Sequence, residues 1–93
     1  MDLIKGESYL VLSRNGVVYF GEYDSCERVK YIGKKQLRSV NIFINAWGKT
    51  NRGNPSNFDY LHFATYDIRG VAHVDFNSET FLSMPTEELK RRF

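Results

Sequence analysis

The sequence has one cysteine, two prolines and no long apolar run. A single cysteine, Cys26, excludes an internal disulfide and cannot form a cysteine-based zinc site by itself, which fits a reducing compartment. The longest uninterrupted apolar runs are residues 9–12 and 17–20, whereas a membrane-spanning helix needs roughly 18 apolar residues. The start of the sequence also has no apolar core of a signal peptide. We therefore expect a cytoplasmic protein that makes no contact with a membrane.

Residues that could support catalysis are few. Cys26 lies between acidic residues, whose negative charge disfavours a reactive thiolate. His73 and Asp75 lie two apart in a predicted strand and His62 could face them across a hairpin, but ordinary surface roles explain them better than a metal site. Residues 48–50, Gly-Lys-Thr, match the last three positions of a phosphate-binding loop. The first glycine of that motif is missing, because position 43 is phenylalanine. We expect no enzyme, no cofactor and no metal.

What the sequence does contain is enough apolar surface for one small folded domain spanning residues 1–93. The chain has 93 residues, of which 42% are hydrophobic and 15% aromatic. Its net charge is only +2, but the charges are segregated. Residues 25–53 contain seven basic residues against Glu27 alone, and such a block can steer an anionic partner.

The clearest local signal is Asn15-Gly16 between two apolar segments. This dipeptide tolerates the positive φ angles of a type I′ turn, so it predicts a hairpin with a two-residue loop. In that register Leu12 faces Tyr19 and Leu10 faces Gly21. Large apolar side chains then occupy both faces, which predicts a curled sheet rather than a hairpin with one wet face.

Alternating patterns predict further strands at residues 28–32, 37–47, 58–67 and 71–76. The segment 37–47 also fits a helical stripe, but its β-branched residues favour a strand with Val40, Ile42 and Ile44 inward. The turn Asp67–Gly70 predicts a second hairpin around a central strand. Residues 48–57 contain no apolar residue and predict an exposed loop, and a short helix should begin near Ser83.

Together these segments predict a mainly β fold. It would be a small open barrel or a strongly curled antiparallel sheet, SH3-like or OB-like, with five to six short strands and a short C-terminal helix. The alternation from Gly6 to Val11, the tight turn and the alternation from Val18 to Glu22 resemble SH3-like small barrels in general, over about a quarter of the chain. The alternative is an α+β fold with a helix at about 34–47.

Two functional hypotheses follow. The first is a non-catalytic regulator or inhibitor that binds a larger protein, similar in general character to accessory proteins of phages and mobile elements; aromatic residues and arginine favour protein interfaces. Its contact residues would be Trp47, Lys49, Arg52, Phe58 and Tyr60.

The second hypothesis is a small barrel that binds nucleic acid through the basic block 28–52. Its contact residues would be Arg28, Lys30, Tyr31, Lys34, Lys35 and Arg38. The sequence does not determine the oligomeric state, and it leaves open whether the chain forms a homodimer.

Overall fold

The computed structural model describes residues 2–30, 33, 37–50 and 54–93. Within these ranges the chain forms one antiparallel sheet of five strands in the order β4-β3-β2-β1-β5. The strands are β1 (Ser8–Ser13), β2 (Val18–Lys30), β3 (Leu37–Lys49), β4 (Pro55–Ala64) and β5 (Ile68–Val74). A 3-10 turn (Thr65–Asp67) precedes β5, and the short helices α1 (Ser78–Ser83) and α2 (Thr86–Lys90) follow it. The predicted fold class, mainly β with a short helical C-terminus, is confirmed. In the part of the chain described, neither helix is long and apolar enough to cross a bilayer.

The first hairpin forms at the predicted place but with a different loop. The Ser13 amide donates to the Val17 carbonyl over 2.9 Å and the Gly16 amide donates to the Ser13 carbonyl over 3.0 Å, so the loop has three residues. Gly16 has a φ of 87°, whereas Asn15 is not in the left-handed region, which matches a turn that ends in a left-handed glycine. The predicted register is therefore wrong by one residue: Leu10 pairs with Phe20 and Leu12 with Val18.

Segment 37–47 is a strand, as predicted, and β3 continues to Lys49. The helical alternative is wrong for residues 37–47, and residues 34–36 lie outside the described ranges. Val40 and Ile42 are buried, but Ile44 is only half-buried. The β2–β3 register shifts opposite Asn45, which has a φ of 49°, and such a bulge increases the local twist of the sheet.

The predicted second hairpin is wrong. β5 does not return beside β4 but pairs with β1, with Ala72 opposite Leu10. β4 pairs with β3 and forms an edge of the sheet, not its centre. One cause is visible at the 3-10 turn, where the Asp67 carbonyl accepts a hydrogen bond of 2.8 Å from the Arg14 amide. That bond holds the end of the turn against the first hairpin loop, so the chain enters β5 beside β1.

Both faces of the sheet carry a hydrophobic core, as the pattern of β1 and β2 predicted. One core joins the sheet to the helices and consists of Leu10, Val18, Phe20, Val74, Phe81 and Leu89. The other is largely aromatic and consists of Tyr9, Val11, Tyr23, Phe43 and Phe63. Gly21 permits the aromatic core to close, because a Cβ at this position would lie 2.9 Å from the Cβ of Phe43.

The helical C-terminus differs from the single predicted helix. α1 begins after Asn77, whose side-chain oxygen accepts a hydrogen bond of 3.1 Å from the Thr80 amide, an ordinary N-cap. Ser83 is the last residue of α1 rather than the cap of a new helix, and α2 starts after Pro85. The signal for α1 was the asparagine cap itself, followed by Glu79 in the first turn.

Candidate functional site

The longest strands of the sheet, β2 and β3, run along the whole molecule. Each has 13 residues, which at roughly 3.3 Å per residue gives about 40 Å, and the longest dimension of the protein is 42 Å. β1 pairs with β2 only as far as Glu22, and β4 pairs with β3 only from Val40 onward. Residues 28–30 and 37–39 therefore pair only with each other among the described strands. We call these two segments the β2–β3 ribbon.

The β2–β3 ribbon is basic. Arg28 and Lys30 are exposed and lie two residues apart on one strand, so their side chains leave the same face about 7 Å apart. Arg38 is paired with Val29 on the neighbouring strand and leaves the opposite face. Glu27, at the base of the ribbon, is the one acidic residue between positions 25 and 53. The ribbon thus presents positive charge on both of its faces.

Arg38 is held by an aromatic ring from another part of the chain. Its guanidinium carbon lies 5.0 Å from the ring centre of Tyr66, which belongs to the 3-10 turn and is 56% exposed. Such a cation–π contact fixes the direction of the arginine while its hydrogen-bond donors remain available. Tyr66 has no signal in the sequence, because no strand or helix periodicity relates positions 38 and 66. The remaining predicted residues of this site, Tyr31, Lys34 and Lys35, lie outside the described residues.

The residues of the predicted aromatic patch do not meet on one surface. Trp47 is half-buried and packs against the core that joins the sheet to the helices. The Phe58 ring centre lies 6.3 Å from that of Tyr19, which packs against the aromatic core on the other face. Tyr60 is 65% exposed on the edge strand β4. Arg52 lies outside the described residues.

Lys49 is not part of an exposed cationic rim. Lys49 is 8% exposed, and its ammonium group donates to the carbonyls of Leu82 and Met84 over 3.0 and 2.5 Å. These carbonyls end α1, where the helix leaves acceptors without partners and the dipole favours a cation. Lys49 therefore joins the sheet to α1. The predicted loop is also shorter than 48–57, since β3 reaches Lys49 and β4 begins at Pro55.

The structure does not bring the two histidines together. His73 lies on β5, where its Nε2 is 3.5 Å from a carboxylate oxygen of Glu7, whereas His62 lies on β4 at the opposite edge of the sheet. The hairpin that would have joined them does not form. Among the described residues, no three His, Cys, Asp or Glu side chains are grouped so that they could hold a metal ion.

A surface pocket of about 400 Å³ opens between the first hairpin loop and the 3-10 turn. It is lined by Ser13, Arg14, Asn15, Tyr19, Phe63 and Asp67. The Ser13 hydroxyl already contacts the Asn15 side chain and the Val17 backbone. Burial raises the pKa of Tyr19, so its phenol, which is already neutral near pH 7, stays protonated to a higher pH than an exposed tyrosine. The pocket is therefore held by its own hydrogen bonds, and it carries much less positive charge than the β2–β3 ribbon.

Comparison with known proteins gives no relative from which a role could be transferred: no protein-family model matches the chain, and no curated protein matches it significantly. Within the part of the chain that the structure describes, the β2–β3 ribbon brings two exposed basic side chains together with an arginine that an aromatic ring holds in place.

Proposed function

We propose that the protein is a non-catalytic module that binds nucleic acid through the β2–β3 ribbon. The observation that carries this proposal is the position of Arg28 and Lys30, exposed on one face of a ribbon that no third strand covers in the described structure. Arginine and lysine side chains neutralise backbone phosphates and release their counterions, which is the main source of affinity for nucleic acid. A two-stranded ribbon is also narrow enough to enter the major groove of duplex DNA.

Arg38 and Tyr66 add a second type of contact. A guanidinium that lies over an exposed ring forms a flat surface on which a base can stack, and stacking of this kind does not depend on sequence. In the sequence, Lys34 and Lys35 belong to the same basic block, and we include them among the proposed phosphate contacts. The net charge of only +2 favours a limited footprint at one end of the molecule rather than a basic surface that surrounds it.

The protein-binding hypothesis remains a prediction without a defined site. The structure separates Trp47 from Phe58 and buries Lys49 against α1, so the proposed anchor and rim are not assembled. We therefore do not base a regulator or inhibitor role on that patch.

The test measures the salt dependence of binding to labelled duplex DNA and to single-stranded RNA. Each phosphate contact contributes about one unit to the slope of log affinity against log salt concentration. The double variant Arg28→Glu/Lys30→Glu should lower the slope by about two units and weaken binding to both probes. The matched control Lys5→Glu/Arg69→Glu makes the same charge change at exposed positions outside the ribbon, and it should retain most of the affinity.

Two results would contradict the proposal. One is a native protein that shows no salt-dependent binding to either probe between about 50 and 200 mM salt. The other is a control variant that loses as much affinity as the ribbon variant, which would reduce the effect to net charge alone.

A further inference from the structure

The surface pocket between the first hairpin loop and the 3-10 turn has an aromatic floor. Tyr19 is half-buried, and its ring centre lies 5.0 Å from that of the buried Phe63 in an edge-to-face contact. Gly48 lets the Tyr19 ring lie close against the sheet, because a Cβ at position 48 would be 2.7 Å from a ring carbon. The pocket therefore holds a fixed aromatic surface, and its volume of about 400 Å³ is within the range of small-molecule sites.

Polar groups of both types surround this aromatic floor. On the side of the hairpin loop, Arg14 carries guanidinium donors, and the Asn15 side-chain oxygen accepts from the Ser13 hydroxyl, which leaves the amide nitrogen of Asn15 as a donor for a ligand. On the side of the 3-10 turn, Asp67 carries a carboxylate, which only accepts. The Arg14 amide donates to the Asp67 carbonyl over 2.8 Å, so the two sides are held in one place.

This combination matches guanine better than the other bases. Guanine carries two neighbouring donors, N1–H and the N2 amino group, and two neighbouring acceptors, O6 and N7. The two oxygens of one carboxylate can accept from both donors, and an arginine donates to O6 and N7 in the commonest specific contact to a base. Adenine, cytosine and uracil each place an acceptor beside their donor, which would face the Asp67 carboxylate.

The pocket lies next to the aromatic contact of the β2–β3 ribbon. Tyr66, whose ring holds Arg38, and Asp67, which lines the pocket, are consecutive residues of the 3-10 turn, so their Cα atoms are about 3.8 Å apart. A single strand that stacks one base on Arg38 and Tyr66 can therefore place a neighbouring base in the pocket.

We propose that this pocket binds a guanine base of single-stranded RNA, an inference that rests on the proposed function. The base stacks on Tyr19, its N1–H and N2 amino groups donate to the Asp67 carboxylate, and the Arg14 guanidinium donates to O6 and N7. The ribbon supplies the salt-dependent affinity for phosphates, and the pocket supplies the preference for one base.

The test compares two labelled oligouridine strands of equal length, one with a single central guanine and one with adenine at that position, by fluorescence anisotropy. The native chain should bind the guanine strand at least about tenfold more tightly. Asp67→Asn should remove most of this preference but leave the salt dependence unchanged. The matched control Asp59→Asn makes the same change at an exposed position on β4 and should keep the preference.

A second variant and a free nucleotide complete the experiment, with circular dichroism to verify that each variant is folded. Arg14→Gln changes an exposed residue and should weaken binding of the guanine strand more than that of the adenine strand. Guanosine monophosphate should displace the guanine strand only at a much higher concentration than the unlabelled strand does, because it lacks the phosphates that contact the ribbon. A free nucleotide that competes as well as the strand would overturn the assignment to RNA.

The remaining outcomes separate this inference from the proposed function. Salt-dependent binding without a preference for guanine would overturn the inference and leave the proposed function standing. No salt-dependent binding to either strand would contradict both. An Asp67→Asn variant that keeps the full preference, or a control that loses as much of it, would overturn the role of the pocket alone.

Discussion

The contact between Lys49 and α1 gives the most direct test of how this small fold is held together. We consider Lys49→Met, which keeps a long unbranched side chain but removes the ammonium group. In the native protein Lys49 is 8% exposed as a residue, and its ammonium group donates to the Leu82 and Met84 carbonyls. The variant leaves both carbonyls without this donor at the end of α1, whose Phe81 is fully buried in the core.

The magnitude follows from two opposing effects. A hydrogen bond that involves a charged group contributes about 1.5–3 kcal/mol to stability, so two such bonds set the upper limit of the loss. The native protein also carries the desolvation cost of a nearly buried ammonium, which the variant no longer has. We expect a net decrease of about 2 kcal/mol in the free energy of unfolding. In a domain of this size, about 1 kcal/mol shifts the Tm by roughly 4–8 °C, so the Tm should fall by about 8–16 °C.

Urea and thermal unfolding followed by circular dichroism measure both quantities. The matched control is Lys5→Met, which makes the same substitution at an exposed position and should change stability by less than about 0.5 kcal/mol. If Lys49→Met were as stable as this control, the ammonium group would not be holding α1. Lys49 would then return to the group of residues that could contact a partner.

Three further predictions concern turns, packing and pH. Gly16→Val should lower stability by more than about 1 kcal/mol, because Gly16 has a φ of 87° and a β-branched residue is strained there; an unchanged Tm would contradict the loop geometry. Gly21→Ala should cost about 1–3 kcal/mol in urea unfolding, since its Cβ would lie 2.9 Å from that of Phe43, and a neutral result would mean that the sheet can open there. Burial raises the pKa of Tyr19 and, together with weaker contributions from Cys26, Tyr9 and Asp24, that of Tyr23. The folded state then keeps these protons when the unfolded state loses them near pH 10, so the contribution of the two tyrosines to stability should be constant below about pH 10 and fall above it. Ultraviolet titration of tyrosinate should show the corresponding late phase, and its absence would contradict the shifts.

The β2–β3 ribbon shows which features of a candidate site a sequence can predict and which it cannot. The cluster of basic residues between positions 25 and 53, with little negative charge, predicts a basic surface that includes Arg28, Lys30 and Arg38. This prediction needs no tertiary structure, because a local excess of one charge survives any fold that leaves the segment exposed. The aromatic patch failed as a geometric prediction for the opposite reason. Trp47 and Phe58 are close in sequence, but whether they share a face depends on their partners across the sheet.

Local patterns determined the strands themselves. Alternating β-branched residues identified β3, Asn15-Gly16 located the first hairpin, and large side chains at consecutive positions of β1 indicated that both faces are buried. These features depend on residues that are neighbours along the chain. The physical preferences that produce them, backbone sterics and side-chain alternation, act over a few residues.

Pairing between distant segments was decided only by the tertiary structure. Nothing near Asp67 indicates that its carbonyl binds the Arg14 amide and sends β5 to β1 instead of β4. Nor does the sequence around Lys49 show that its ammonium group donates to the carbonyls at the end of a helix more than thirty residues later. In both cases the local sequence does not distinguish the alternatives. The fold that closes both hydrophobic cores at once selects among them, and that selection involves the whole chain.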